Sequence, residues 1–247
     1  QARDPRQPPG MELDEGNQDM TGINVVWLNH NEGSPNRGYW SYGWLEEILR
    51  PPRHPTYQPR QHVFYQHDSF QSVEEGTGAI VVVPAEYNAD HVEKINSDLA
   101  TLPWVVLVLA SDERGLFPVE DLAPHPALKL WVMTPHFDTH VYPEGTQFLG
   151  VGYPQDARAL IANSAWSNYR AHRFGFSGQI THERRTQMAE VLRAESNGYL
   201  NETAGFTQGL ARQEYYQMLV KSVTVPAPSG PVTLDSFRAY EALEAGA

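Results

Sequence analysis

Short apolar runs alternate with helical patterns along the first two thirds of the chain. Ile23–Leu28, Ala79–Val83 and Trp104–Leu109 are almost continuously apolar and rich in valine. This pattern is typical of strands that are buried on both faces of a mainly parallel sheet. The further predicted elements are strands at Val63–Tyr65, Lys129–Met133 and Gln147–Val151, and helices over 38–49 and 89–99. Together they predict a doubly wound α/β domain over residues 21–155.

A second α/β series begins at residue 173. The strand Arg173–Gly178 ends in a glycine turn, and Thr181 is placed to cap a helix whose Met188, Val191 and Leu192 share one face. The later predicted elements are a helix over Gln208–Leu219, a strand at Ser222–Val225, a turn at Pro226–Gly230, and a helix from Asp235 or Ser236 to Ala245. The second half therefore has the same α/β class as the first.

The predicted organisation is two α/β domains in tandem. Residues 1–20 are polar, contain proline and end in acidic residues, so we expect a disordered acidic tail there. The domains cover 21–155 and 173–247, and 156–172 forms the linker. The second domain is shorter than the ~100 to 150 residues of a typical domain. We expect it to be incomplete, so that a partner finishes it or the gene product extends beyond this sequence.

Composition narrows the chemistry. The chain has 247 residues, a formal net charge of -12 and no cysteine. The lack of cysteine excludes disulfide frameworks, thiolate zinc sites, iron–sulfur clusters and cysteine nucleophiles. The acidic balance gives no drive toward non-specific binding of nucleic acid or anionic lipid. No apolar stretch reaches the ~18 residues of a membrane span, and no secretory signal opens the sequence, so we expect a cytoplasmic protein that acts on small molecules.

The segment after residue 222 carries the clearest chemistry. A strand leads through a Pro/Gly loop into a helix that opens with Ser236 and Arg238 and carries Glu241. Backbone N–H groups at a helix N-terminus bind anions, and an arginine adds a fork of donors for phosphate oxygens. A carboxylate one turn later accepts hydrogen bonds from a ribose diol. The alternative is an exposed Arg–Glu pair on an ordinary amphipathic helix.

Three stretches resemble the exostosin-like glycosyltransferases. Ser222–Pro226, followed by Ser236–Gly246, is similar to the family's donor-binding segment: a strand that ends in Pro and Gly, then S-x-R-x-x-E-A. Phe174–Gly178 with the downstream Arg184 resembles its F-x-G turn and following arginine. Gly152–Pro154 resembles the stretch between its two domains. The resemblance covers about 100 residues at the C-terminal end.

The resemblance implies a fold of two Rossmann-like domains, of the GT-B type, with a nucleotide-diphosphate sugar between them as co-substrate. By this resemblance, Glu241 would hold the ribose of the nucleotide. Ser236 and Arg238 would face the diphosphate, and the turn Ser177–Gly178 would approach the same phosphates. Arg184 would neutralise the negative charge of the leaving group. The enzyme would be hexosyltransferase-like and independent of a metal or other cofactor. Its acceptor would be a hydroxyl on a glycan, a protein or a modified nucleic acid.

Two departures from the family affect this interpretation. The apolar strand that follows the helix in the family is missing, and the membrane anchor of the animal relatives is absent. A bacterial or viral enzyme of the cytoplasm fits better. Donor base, sugar, stereochemistry and oligomeric state are not specified by the sequence.

The acceptor side needs a general base from a loop after a strand of the first domain. The candidates are Glu32, Asp68, Asp112 and Asp138, and each follows a predicted strand, so position does not choose among them. Each is also a common type of loop or capping residue.

Two other classes of function stay open. One is a non-catalytic, degenerate transferase-like module for binding or assembly, which an incomplete second domain would favour. The other is a metal-dependent hydrolase, since His136, Asp138 and His140 alternate and would lie on one face of an extended segment. The alternative for that motif is a polar wall of a cleft.

Overall fold

A computed structural model describes residues 23–28, 42–49, 61–66, 73, 77–84, 87–110, 112, 114–154, 156–164, 169–205, 208–230 and 235–247. For residues 42 and 61–66 the description covers the backbone alone. The predicted tail over 1–20 and the candidate bases Glu32 and Asp68 lie outside these ranges. The chain has a mixed α/β architecture with two parallel sheets, which confirms the predicted α/β class. The GT-B arrangement of two domains stays a prediction.

The first sheet has six parallel strands, in the order β2-β1-β3-β4-β5-β6. They are β1 (Ile23–Leu28), β2 (Gln61–Gln66), β3 (Ala79–Val83), β4 (Val105–Leu109), β5 (Leu128–Val132) and β6 (Gln147–Phe148). Its helices are α1 (Tyr42–Leu49) and α2 (Ala89–Leu99), and a 3₁₀ turn spans Val119–Asp121. The strand order reverses between β1 and β3, where open α/β sheets bind ligands at the carboxyl ends of their strands.

Both faces of this sheet are covered, as the valine-rich strands predict. On one face, Val92, Ile95 and Leu99 of α2 pack with inward residues of β1, β3, β4 and β5. On the other face, Leu45 and Leu49 of α1 pack against the opposite residues of β1, β3 and β4. A strand that is buried on both sides has no polar-facing positions, which explains its continuous apolar run.

The second sheet has three parallel strands, in the order β8-β7-β9. They are β7 (His172–Gln179), β8 (Tyr199–Thr203) and β9 (Ser222–Thr224), and the accompanying helices are α3 (Ala157–Ala162), α4 (Glu183–Ala194), α5 (Arg212–Val220) and α6 (Phe237–Glu244). At Gly175 in β7, an added Cβ would lie 2.2 Å from Ser222 Oγ and 2.3 Å from Met218 Sδ. Glycine is required there because α5 and β9 pack directly against the strand.

Three details of the second half differ from the prediction. Helix α4 is preceded by His182 as its N-cap, not by Thr181, and the His182 backbone is extended. On that helix Ala189 is buried and Met188 and Leu192 are half-buried, whereas Val191 is 64% exposed, so the prediction is wrong for Val191. Strand β8 was not predicted, because its Asn201 and Glu202 interrupt an apolar run; it forms because β7 offers a partner edge over five residue pairs.

Helix α6 returns to the first sheet and packs beside α1. The Trp44 ring of α1 lies 5.2 Å from the Tyr153 ring and 5.4 Å from the Tyr240 ring, centroid to centroid. Its indole Nε1 donates to the Gly150 carbonyl oxygen at 3.3 Å. Gly152 has φ +66°, and a Cβ there would lie 2.1 Å from the Trp44 ring. The segment between the two sheets is thus fixed by close aromatic contacts.

An arginine adds a polar link at the same place. Arg158 of α3 bonds to Glu47 of α1 at 2.8 Å and to Glu244 of α6 at 2.7 Å. The Tyr153 hydroxyl also donates to Glu47, at 3.0 Å. Burial and this bond raise the pKa of Tyr153 to about 12. These pairs are half-exposed, so they add specificity of docking more than stability.

Candidate functional site

The carboxyl end of β7 meets the first turn of α6. Arg238 Nη2 donates to the Ser177 carbonyl oxygen at 2.6 Å, and the guanidinium carbon lies 4.3 Å from the centroid of the Phe176 ring. A Cβ at Gly178 would lie 2.7 Å from Arg238 Nη2, so glycine gives the guanidinium room to approach the strand. Ser177, Gly178 and Arg238 therefore lie together. The strand continues to Gln179, so Ser177 and Gly178 belong to β7 and not to a turn.

A second guanidinium comes from α4. Arg185 Nη1 donates to the Gln179 carbonyl oxygen at 3.0 Å. Burial, and then the nearby charge of Arg238, lower the pKa of Arg185. The Nε atoms of Arg185 and Arg238 are both buried without a hydrogen-bond partner. Arg238 also lies beside Tyr215, whose hydroxyl bonds to Glu241. Among the described residues, no carboxylate forms a direct ion pair with either arginine, so two like charges face one strand end.

Arg184, the arginine singled out from the sequence, lies beside this pair. Its guanidinium donates to the Ser229 hydroxyl, and His182 Nε2 donates to the Ser229 carbonyl oxygen at 2.9 Å. These bonds attach the start of α4 to the Pro/Gly loop. The sequence pattern missed Arg185, although the Arg-Arg doublet was a signal. Successive helix residues point about 100° apart, so only one of the two faces the strand end.

The start of α6 is held by an aspartate. Asp235 accepts the Ser236 N–H at 2.8 Å, the Val151 N–H at 2.9 Å and the Tyr240 hydroxyl at 2.9 Å. Burial and the bond to Asp235 raise the pKa of Tyr240 to about 12. The Ser236 side chain makes no capping bond to the helix, although Ser236 is the N-cap. Its hydroxyl and the first N–H groups of α6 therefore stand beside Arg238.

Glu241 is buried one turn further along α6, with 6% of its surface exposed. Its Oε1 accepts the Tyr216 hydroxyl at 2.8 Å, and its Oε2 accepts the Tyr215 hydroxyl at 2.7 Å. Burial first, and then the Glu241 charge, raise the pKa of both tyrosines far above the ordinary value. The ribose role of Glu241 stays a prediction. A ribose diol would have to use the lone pairs that the tyrosines leave.

Two of the candidate bases can be located in the first sheet. Asp112 is buried, and its carboxylate accepts the Leu116 N–H at 3.1 Å and the Phe117 N–H at 3.0 Å. It stabilises the loop after β4. Asp138 is exposed in the segment after β5. Of these two carboxylates, only Asp138 is open to an acceptor.

The predicted extended segment His136–His140 is a turn, since the Thr139 and His140 N–H groups both bond to the His136 carbonyl oxygen. The imidazoles therefore point back to the loop after β4 instead of sharing a face with Asp138. His136 Nε2 bonds to the Asp112 carbonyl oxygen at 2.6 Å, and His140 bonds to Gly115 and Glu120. In the part of the chain that the structure describes, no group of His, Asp and Glu could hold a metal ion.

A cavity of about 650 Å³ lies away from these residues, at the start of β5. It is lined by residues 122–126, 128–130 and 143–146. Ligand sites of parallel sheets lie at the opposite, carboxyl ends of the strands. We therefore give this cavity no role in the chemistry.

Comparisons of this chain with protein-family models, with curated proteins and with solved structures find no match. None of the helices within the described ranges has the length and apolar character needed to cross a membrane. The function is therefore argued from the geometry of the chain itself.

Proposed function

We propose that this chain is a glycosyltransferase that moves a sugar from a nucleotide-diphosphate sugar to an acceptor hydroxyl. The observation that carries the proposal is the pair Arg185 and Arg238, which meet at the carboxyl end of β7 without a carboxylate partner among the described residues. In this proposal the pair binds the diphosphate of the donor. The two sheets belong to the two domains of a GT-B arrangement, in a cytoplasmic enzyme.

Bringing these two arginines together costs free energy, and an anionic ligand would offset that cost. Two guanidiniums in a partly buried place repel each other and lose hydration, and each leaves a buried Nε without an acceptor. A diphosphate supplies several acceptor oxygens and a compensating negative charge. Arginine binds such oxygens with a planar fork of donors. The first turn of α6 adds backbone N–H groups, and the Ser236 hydroxyl stands at the same end.

The same charges would serve the reaction. When the bond between the sugar and the diphosphate breaks, negative charge builds on the leaving oxygens. Fixed positive charge at that point stabilises the transition state more than the ground state. Arg185 is better placed than Arg184 for this role, because it faces Arg238 while Arg184 bonds to Ser229. Of the two candidate bases that the structure describes, Asp138 is the exposed one and would accept the acceptor's proton.

A second candidate is a non-catalytic module that binds the same anion. The engagement of Glu241 with Tyr215 and Tyr216 favours it, because a ribose would find both carboxylate oxygens already bonded. Both candidates use the arginine pair to bind the anion, but only the transferase converts the donor to product. The metal-dependent hydrolase loses its support, since His136 and His140 lie in a turn and bond to the neighbouring loop.

The proposal is tested by thermal unfolding with a panel of nucleoside diphosphates and their sugars. At a hundredfold excess over the dissociation constant, mass action predicts a stabilisation of about 2.7 kcal/mol, and hence a rise in Tm of roughly 5 to 10 °C. We expect Arg238→Ala and Arg185→Ala to abolish the rise, because each removes one of the two charges.

Arg173→Ala is the matched control. Arg173 lies on the same sheet, but it is exposed and pairs with Glu195 at 2.8 Å, so its loss should leave the rise intact. A rise that survives in both Arg185→Ala and Arg238→Ala would contradict the proposed site. Release of nucleoside diphosphate from the stabilising donor in the presence of acceptor separates the transferase from the non-catalytic module.

A further inference from the structure

Three aromatic rings form a cluster at the edge of the first sheet. Phe137, Tyr142 and Phe148, which we call the aromatic platform, contact each other edge to face. Their ring centroids lie 5.1 Å apart for Phe137 and Phe148, 5.7 Å for Phe137 and Tyr142, and 5.6 Å for Tyr142 and Phe148. Tyr142 packs against the core, whereas Phe137 is 67% exposed and Phe148 is 48% exposed.

The backbone that carries the exposed rings is fixed by hydrogen bonds. Phe137 lies in the turn between His136 and His140, and both imidazoles bond to the loop after β4. The Tyr142 hydroxyl accepts the His136 N–H at 2.7 Å. Phe148 is the last residue of β6. The platform thus presents two apolar ring surfaces to solvent from a fixed backbone, so a ligand that binds there does not have to order the segment.

The platform is joined along the chain to the helix that carries the proposed donor site. Phe148 precedes Gly150 by two residues, and two residues span at most about 7 Å. A Cβ at Gly150 would lie 1.7 Å from the Tyr240 hydroxyl oxygen, so this segment touches α6. Arg238 lies in the first turn of the same helix. The platform therefore lies within two residues of the segment that contacts the helix carrying Arg238.

The chemistry around the platform selects the ligand. The charged groups of the segment 133–148, apart from the two histidines, are the exposed carboxylates of Asp138 and Glu144. Carboxylates beside the rings disfavour a nucleic acid, whose phosphates they would repel. A neutral pyranose ring fits both features. Its C–H face packs on the negative face of an aromatic ring, and its hydroxyls donate to carboxylate oxygens.

We propose that the aromatic platform binds a pyranose ring of a glycan acceptor, with Phe137 and Phe148 stacking on the sugar and Asp138 accepting one of its hydroxyl protons in a hydrogen bond. The role of this sugar as an acceptor rests on the proposed function, because the platform alone would be only a sugar-binding site. It narrows the acceptor from a glycan, protein or nucleic acid to a glycan.

Ligand-observed saturation-transfer NMR on the full chain, without nucleotide, tests the platform. The probes are methyl β-glucopyranoside, methyl β-galactopyranoside and chitotriose. We expect saturation of the C–H protons on one ring face of at least one probe. The double variant Phe137→Ala/Phe148→Ala should weaken its binding at least tenfold, and Phe137→Tyr/Phe148→Tyr should retain it within about threefold, since the ring faces are kept.

Val141→Ala is the matched control, because Val141 is 83% exposed in the same segment and has no ring. The Val141→Ala variant should bind the sugar probe as tightly as the unchanged protein does. The proposal is wrong if no probe is saturated, or if the double alanine variant binds as well as the unchanged protein. It is also wrong if sedimentation shows that the platform joins two copies of the chain, with dimers that the double variant abolishes and no saturation of sugars.

The two proposals fail separately. Arg238→Ala should abolish the nucleotide-dependent rise in Tm and leave sugar saturation unchanged. The double platform variant should do the reverse. Sugar saturation without any nucleotide effect would leave a sugar-binding site and overturn the transferase. A nucleotide effect without sugar saturation would overturn the platform alone.

Discussion

Glu241→Ala is expected to lower the free energy of unfolding by about 3 to 5 kcal/mol, the largest effect that we predict for a single side chain. The substitution removes the carboxylate to which the Tyr215 and Tyr216 hydroxyls donate, at 2.7 and 2.8 Å. Two buried hydroxyls then lose their acceptor, and a cavity forms beside α5. For a chain of this size, such a loss lowers Tm by roughly 10 °C or more.

Denaturant unfolding of Glu241→Ala and Glu244→Ala measures this effect against a matched control. Glu244 lies on the same helix, but its side chain is 29% exposed and pairs with Arg158 at the surface. Its loss should cost less than about 1 kcal/mol. Tyr215→Phe and Tyr216→Phe should each cost about 1 kcal/mol, the value of one hydrogen bond. Equal losses for Glu241→Ala and Glu244→Ala would refute the internal role of the Glu241 carboxylate.

This result bears on how the donor site is tested. If a Glu241 variant fails to bind nucleotide, the cause is either loss of a contact to the ribose or disruption of α6, which also carries Arg238. The arginine variants keep the Glu241 carboxylate in place, although Arg238 lies beside Tyr215. Among the described residues, both guanidiniums bond to backbone carbonyls and form no ion pair with a carboxylate. They are therefore the better probes of diphosphate binding.

Gly152→Ala is expected to lower the free energy of unfolding by about 3 kcal/mol. The residue has φ +66°, and the added Cβ would lie 2.1 Å from the Trp44 ring. The left-handed backbone costs a non-glycine residue about 1 to 2 kcal/mol, and overpacking against the indole adds about 1 to 3 kcal/mol. Relief of the clash would shift Trp44 away from Tyr153 and Tyr240. We expect a change in the near-UV circular dichroism of the variant.

Gly145→Ala separates the two contributions. Gly145 also has positive φ, at +82°, but nothing lies within 4 Å of the position of its Cβ. Its substitution should therefore cost only the backbone part, about 1 to 2 kcal/mol, and leave the aromatic signal unchanged. If both variants unfold at the same denaturant concentration, the contact between Gly152 and Trp44 does not limit stability.

The first sheet was predicted well because its signal is local. The strands Ile23–Leu28 and Ala79–Val83 and the helix Ala89–Leu99 match the structure residue for residue, and each has an apolar pattern that is complete within itself. Strand β8 was missed because nothing within Tyr199–Thr203 specifies a strand; its partner β7 does. The same reason applies to the exposed Val191, since the packing surface opposite α4 decides which face is buried.

The candidate site was predictable in its residue types and not in its pairings. Ser177 and Arg238 were chosen from separate motifs, and the structure places them in contact across 61 residues. Arg185 and the tyrosine partners of Glu241 were not found. Their roles depend on the rotation of α4 and on the docking of α5 against α6, which no periodicity within one helix encodes.

The contact between Trp44 and Tyr240 also sets an order of events on the ribosome. Trp44 emerges with the first helix, but the ring that covers it is synthesised roughly 200 residues later, which at 5 to 20 residues per second takes about 10 to 40 s. For that interval the side of the indole that packs on Tyr240 stays uncovered on the nascent chain, although Tyr153 is made earlier. Any protection of this aromatic surface during synthesis therefore has to act before the second sheet exists.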